Sequence, residues 1–123
     1  MKRQIINFRD KNNSYSVIIG SNILNLISKE IKRICPRTKK IAIIIDKNVP
    51  NKFKLILNRS LKKYNLFFLE FNANEKSKSL NSVYNYLNIL SKKNLTRSDT
   101  IISIGGGITG DVVGFIASIF KRG

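Results

Sequence analysis

Residues 40 to 45 read KIAIII, an apolar run with no polar residue inside it after the opening lysine. A half-buried strand alternates apolar and polar residues, and an amphipathic helix repeats every 3.6. This run does neither. It suits a strand covered on both faces, which is the condition inside a parallel sheet with helices above and below. LFFLEF at 66 to 71 and TIISI at 100 to 104 repeat the pattern.

The intervals between these runs carry helical spacing. From about Pro50 to Tyr64, Phe53, Ile56, Leu57 and Leu61 fall on one face. Ser79 is placed to cap a helix carrying Leu80, Val83, Tyr86, Leu87 and Leu90 inward. After GGGITG, read as a loop, residues 111 to 120 open a further helix. Ahead of the first run, QIINF at 4 to 8 and YSVII at 15 to 19 flank the turn residues DKNNS and predict a hairpin. Ser21 is placed to cap a helix running to about Ile34, with Ile23, Leu24, Ile27, Ile31 and Ile34 on one face and Pro36 just past its end.

The predicted fold class is α/β: a Rossmann-like parallel sheet with flanking helices and an N-terminal β-hairpin, in one domain spanning 1–123. Right-handed crossovers put the helices on both faces. Ligands in such sheets bind beyond the C-terminal ends of the strands. The loops at that edge are 46 to 49, 72 to 78 and 105 to 111.

Gly105, Gly106 and Gly107 leave a buried strand and enter a helix. Glycine admits positive φ and leaves room for a ligand's backbone approach. The free N–H groups and positive end of the next helix attract phosphate. The spacing matches neither G-x-G-x-x-G nor the P-loop, so a tight connection without a ligand is the alternative. Asp111, read in the first helical turn, either caps the helix or faces a ligand. Asp46, ending a buried strand, either holds a turn or accepts from a ribose diol.

Composition narrows the chemistry. The chain of 123 residues has no His, which excludes His triads and His metal ligands within it. Its single cysteine, Cys35, cannot form an intrachain disulfide, in keeping with a reducing cytoplasm. The net charge of +16 draws attention to nucleic acid. Yet 20 Ile, 16 Lys and 15 Asn against 7 Arg is the signature of A/T-rich codons, and the lysines lie on every helix rather than in one stripe. Neither a signal peptide nor a run of about 20 apolar residues is present.

GGGITGDVVGFIASIFKRG at 105 to 123 resembles the 3-dehydroquinate synthase family, within the sugar phosphate cyclases. That family carries Gly-Gly-Gly, two residues, Gly-Asp, two residues, Gly-Phe, then Arg-Gly. Glu75, Lys78, Ser79 and Leu80 match a second family segment, although Ala73 and Asn74 stand where it has Asp and Gly. IIIDKNV at 43 to 49 and SYSVIIGSN at 14 to 22 match in the right order.

The resemblance implies an enzyme that converts 3-deoxy-D-arabino-heptulosonate 7-phosphate to 3-dehydroquinate and phosphate, a step of the shikimate pathway to chorismate and the aromatic amino acids. It implies NAD and a divalent metal, zinc or cobalt, as cofactors, a cytoplasmic location and a homodimer. It implies that Asp46, Lys47 and Asn48 flank the adenosine ribose, and that Glu75 and Lys78 lie along the dinucleotide. Gly105, Gly106, Gly107, Gly110 and Asp111 would hold the pyrophosphate and nearby ribose. Arg122 would meet the substrate phosphate, or else stand as a solvated terminal charge.

The family's helical C-terminal domain, with its metal-binding Glu and two His, has no counterpart in these residues. The expectation is therefore an NAD-binding part, truncated or one half of a split enzyme, with no catalytic residue or metal ligand of its own. An inactive relic or a stand-alone nucleotide-binding module is the alternative.

Overall fold

The computed structural model describes residues 3–11, 14–74 and 79–120. A hairpin of β1 (Gln4–Arg9) and β2 (Ser14–Ile19) comes first, then a short 3₁₀ turn (Leu24–Leu26) and α1 (Ile27–Ile34). The rest alternates: β3 (Lys40–Asp46), α2 (Asn51–Ser60), β4 (Asn65–Phe71), α3 (Leu80–Lys92), β5 (Thr100–Ile104) and α4 (Gly107–Ile119). β3, β4 and β5 form a parallel sheet in the order β4-β3-β5, and the hairpin is a separate antiparallel sheet.

The central place of β3 accounts for its composition. Ile41, Ala42, Ile43, Ile44 and Ile45 are all fully buried. Strand geometry sends alternate residues to opposite faces. Ala42 and Ile44 pack with Val83 and Leu90 of α3 and Val112, Val113 and Ile116 of α4. Ile41, Ile43 and Ile45 pack with Ile31 of α1 and with Leu57 and Leu61 at the end of α2. Burying each isoleucine contributes roughly 1.5–3 kcal/mol.

Several boundaries differ from the sequence expectation. Ser21 caps nothing: the 3₁₀ turn has Ile23 at its N-cap without a side-chain bond, and Asn22 turns the chain through the left-handed region at φ 55°. Ile34, expected inward, is 62% exposed at the end of α1. α2 stops at Ser60 rather than Tyr64, because the Tyr64 N–H donates to Leu61 O (3.0 Å) in a turn and Asn65 begins β4. Leu80, also expected inward, is 81% exposed at the first position of α3. Ser79 does cap α3, its Oγ accepting from the Ser82 N–H at 3.1 Å.

The edge of the sheet away from the expected ligand loops is tied by Asp99. Its carboxylate accepts from the N–H groups of Lys39 (3.1 Å), Lys40 (2.9 Å) and Thr96 (2.9 Å) and from the Thr96 hydroxyl (3.1 Å). Burial pulls this carboxyl up, but the four hydrogen bonds together outweigh it and hold Asp99 below its usual value. Among the described residues no helix is long and apolar enough to cross a membrane.

Candidate functional site

The last registered pair between β3 and β5 is Ile45 with Ile104. Asp46, still paired with Phe71 of β4, and Gly105 therefore lie side by side where the β3–β5 pairing ends. They open a cleft of about 860 Å³, which Asn48, Gly106, Phe53 and Arg59 also line. The chain crosses from β3 to β4 on one side of β3 and returns to β5 on the other. Crevices at such switch points take ligands in open α/β sheets.

The β3 end is held by a turn. The Asp46 carboxylate accepts from the Asn48 N–H at 2.9 Å, and the Asp46 carbonyl accepts from the Val49 N–H at 3.0 Å. Lys47 donates its N–H to the Phe71 carbonyl (2.9 Å), which extends the β3–β4 ladder by one bond. The side chains of Lys47 and Asn48 are exposed.

On the β5 side, Gly105 has φ +155°, a conformation that other residues rarely adopt. A Cβ there would stand 2.7 Å from Thr109 Oγ1 and 3.1 Å from Asp46 Cβ. Gly106 and Gly107 have open space where a Cβ would be.

The glycine segment is shorter as a loop than its sequence implies. Gly106 is the N-cap, without a side-chain cap bond, and its carbonyl accepts from the Gly110 N–H at 3.0 Å. Gly107 and Gly110 are therefore helical. Asp111 lies beyond the first turn, which carries no acidic residue, so the capping role is corrected. It lines a smaller groove between α3 and α4 with Leu80 and Phe115.

Glu75, Lys78 and Arg122 lie outside the described residues. The structure thus brings together Asp46, Asn48, Gly105 and Gly106 at one cleft, with Gly107 starting the helix beside it. Sequence reading missed Thr109. It is fully buried immediately behind Gly105, and among the described residues its hydroxyl has no hydrogen-bond partner. Arg59 and Asn22 were also missed, since only the fold carries them to the cleft. Among the described residues no three of His, Cys, Asp and Glu group where they could hold a metal ion.

Residues 68–123 match the family pattern for the 3-dehydroquinate synthase N-terminal region. The chain is similar to the N-terminal part of 3-dehydroquinate synthase. The 3-dehydroquinate synthase of Pelagibacter ubique is 48% identical over 109 residues, which cover 89% of this chain and 30% of that protein. The 3-dehydroquinate synthase of Prochlorococcus marinus is 40% identical over 115 residues, 91% of this chain and 32% of that one. The chain thus spans about a third of the length of these curated relatives.

Among solved structures, a 2-deoxy-scyllo-inosose synthase complexed with carbaglucose-6-phosphate, NAD+ and Co2+ superposes with a TM-score of 0.80 at 23% identity. The match covers 98% of this chain and 33% of that one. The NADH-dependent butanol dehydrogenase A of Thermotoga maritima gives a TM-score of 0.62 at 18% identity, over 84% and 26%. At these identities the likeness is one of fold.

Proposed function

We propose that this chain is the NAD-binding part of a cytoplasmic 3-dehydroquinate synthase, which acts on 3-deoxy-D-arabino-heptulosonate 7-phosphate. The observation that carries the reading is the meeting of Asp46 with Gly105 and Gly106 at one cleft, on a chain 48% identical to a 3-dehydroquinate synthase. A dinucleotide needs an acceptor for a ribose diol and, nearby, unhindered backbone for its pyrophosphate.

The residues fit NAD. Gly106 and Gly107 leave space that a Cβ would fill, and the start of α4 has no side-chain cap competing for its N–H groups. In this reading Asp46, Lys47 and Asn48 flank the adenosine ribose. Gly105, Gly106, Gly107, Gly110 and Asp111 line the path of the pyrophosphate and second ribose, with Glu75 and Lys78 alongside. Arg122 meets the substrate phosphate. When bound, NAD supplies a hydride acceptor that returns what it takes; the chain orients it and keeps its phosphates over the helix end.

The described residues do not fit a metal, so no step is assigned to one here. In this reading cyclisation needs metal donors and substrate contacts supplied from outside the described residues. Calorimetric titration of residues 1–123 with NAD tests the binding role: saturation at up to millimolar NAD supports it, and a flat titration refutes it. Dehydroquinate formation by this chain with NAD and zinc or cobalt would refute the division of labour.

A further inference from the structure

The fold gathers charges that the sequence scatters. In a parallel sheet with crossover helices, each helix ends where the next strand begins. α1, α2 and α3 therefore bring their C-terminal ends to one edge, opposite the cleft of Asp46 and Gly105. Each arrives with a pair of cations: Lys32 and Arg33 in α1, Lys62 and Lys63 just past α2, Lys92 and Lys93 at the end of α3. The connection into β3 adds Arg37 and Lys39, β3 itself opens on Lys40, and the connection into β5 adds Arg97. Ten of the chain's 23 lysines and arginines thus stand at one edge. The bonds of Asp99 to Lys39 and Lys40, and that from the Asn65 N–H to the Lys39 carbonyl (3.0 Å), tie these connections together.

Carboxylates do not offset this charge. Glu30 pairs with Arg33 at 2.9 Å, and among the described residues the edge has no second ion pair. The Asp99 carboxylate is taken up by its four hydrogen bonds, while Asp46 and Glu70 lie toward the far ends of their strands. Lys40 is half-buried and donates from Nζ to the Lys93 and Asn94 carbonyls, each at 3.2 Å; the other nine cations are exposed. The Lys32 side chain, within hydrogen-bonding reach, holds the Lys63 ammonium below the usual lysine value. Cations at helix C-termini complement the helix dipole. That accounts neither for Arg37, Lys39 and Arg97 in the connections nor for two ammonium groups set side by side. Codon bias sets how many lysines a chain has, not the edge on which they gather.

We propose that this edge binds the phosphate backbone of double-stranded nucleic acid without reading its sequence. Lys32 and Lys63 belong to the layer of α1 and α2, and Lys92 and Lys93 to the layer of α3 and α4, on opposite faces of the sheet. Layers pack about 10 Å apart, so the cations span on the order of 20 Å. A duplex carries one negative charge per about 1.7 Å and presents several phosphates across that span, where a single phosphate group would meet two or three cations. Between the connections lies a hollow of about 540 Å³, whose Thr38, Asn94, Thr96 and Ser98 are of the hydroxyl and amide kinds that contact phosphates. The rings nearby lie under lysines, Tyr64 at 5.6 Å from Lys63 Nζ and Phe67 at 5.5 Å from Lys93 Nζ, so neither is free to stack on unpaired bases. Among the described residues Ile34 is the only large apolar side chain exposed at this edge, too little to anchor in a membrane.

Fluorescence anisotropy of two unrelated labelled DNA duplexes of about 20 base pairs, titrated with residues 1–123, tests the proposal. The expected Kd is roughly 10⁻⁵ M at 100 mM salt for both. With about five phosphates neutralised, affinity should fall some 500-fold between 50 and 200 mM salt. The double substitution Arg37→Ser and Arg97→Ser should weaken binding at least tenfold or so and make the salt dependence shallower. Both side chains are exposed, and circular dichroism checks that the fold is kept. Lys52→Ser with Lys54→Ser removes the same charge from the start of α2, at the other edge, and should weaken binding less than about threefold. The site lies apart from the proposed dinucleotide cleft, so either can fail alone, and NAD at constant ionic strength should not displace the duplex. Absent binding at 50 mM salt overturns the proposal, as does equal weakening by the two pairs. So does displacement by NAD, a marked preference for one duplex, or tighter binding to phosphatidylserine vesicles than to DNA.

Discussion

Gly105 and Thr109 lie so close that a methyl group on Gly105 would stand 2.7 Å from the Thr109 hydroxyl oxygen. The two residues lock the end of β5 to the first turn of α4, and Asp46 closes the third side. The glycine run, read from the sequence as a phosphate-binding turn or a tight connection, is at its first member a packed joint.

Gly105→Ala should therefore destabilise the chain by about 2–4 kcal/mol, from φ strain and crowding together. Gly106→Ala meets open space and should change stability by less than about 1 kcal/mol. Urea unfolding of the two variants checks the contrast. If the cleft holds NAD, Gly106→Val should weaken binding while leaving the unfolding midpoint close to that of the parent.

Thr109→Val should hold or raise stability, by up to about 1 kcal/mol. Valine keeps the shape and removes a buried hydroxyl with no partner among the described residues. A lowered urea midpoint would show that the hydroxyl is satisfied in solution.

Asp99 should make the fold acid-sensitive. Its folded-state value is depressed, so it stabilises the chain above the ordinary carboxylate value near 4. That contribution is lost as pH falls from about 4 through the folded value, because the unfolded chain takes up the proton first. Asp99→Ala should cost roughly 1–3 kcal/mol at neutral pH and flatten this acid limb. Thermal melts between neutral and strongly acid pH check both effects.

Ser79→Ala removes the side-chain N-cap of α3, the bond from the Ser82 N–H to Ser79 Oγ. A loss of about 1 kcal/mol is expected, read by denaturant titration.

Strands were the legible part of this sequence. KIAIII, LFFLEF and TIISI announce burial on two faces, and β3, β4 and β5 lie within a residue of those runs. The start of α4 was not legible, because three glycines carry low helix propensity although the last of them begins the helix. Leu80 and Ile34 follow helical spacing yet face water at helix ends, where the core no longer reaches. At the candidate site, Asp46 and the glycines were legible as local signals. Their adjacency depends on the order β4-β3-β5, and Arg59 and Asn22 reach the cleft only through that order.

The same order has a consequence for the chain as it leaves the ribosome. β3 lies between two strands that are both made after it, and α3 and α4 follow later still. At about 5–20 residues per second, the five fully buried residues of β3 wait on the order of 3–12 s before β5 exists to flank them. During that interval the nascent chain displays its stickiest segment with only one neighbour, and this is where a chaperone would find its handle.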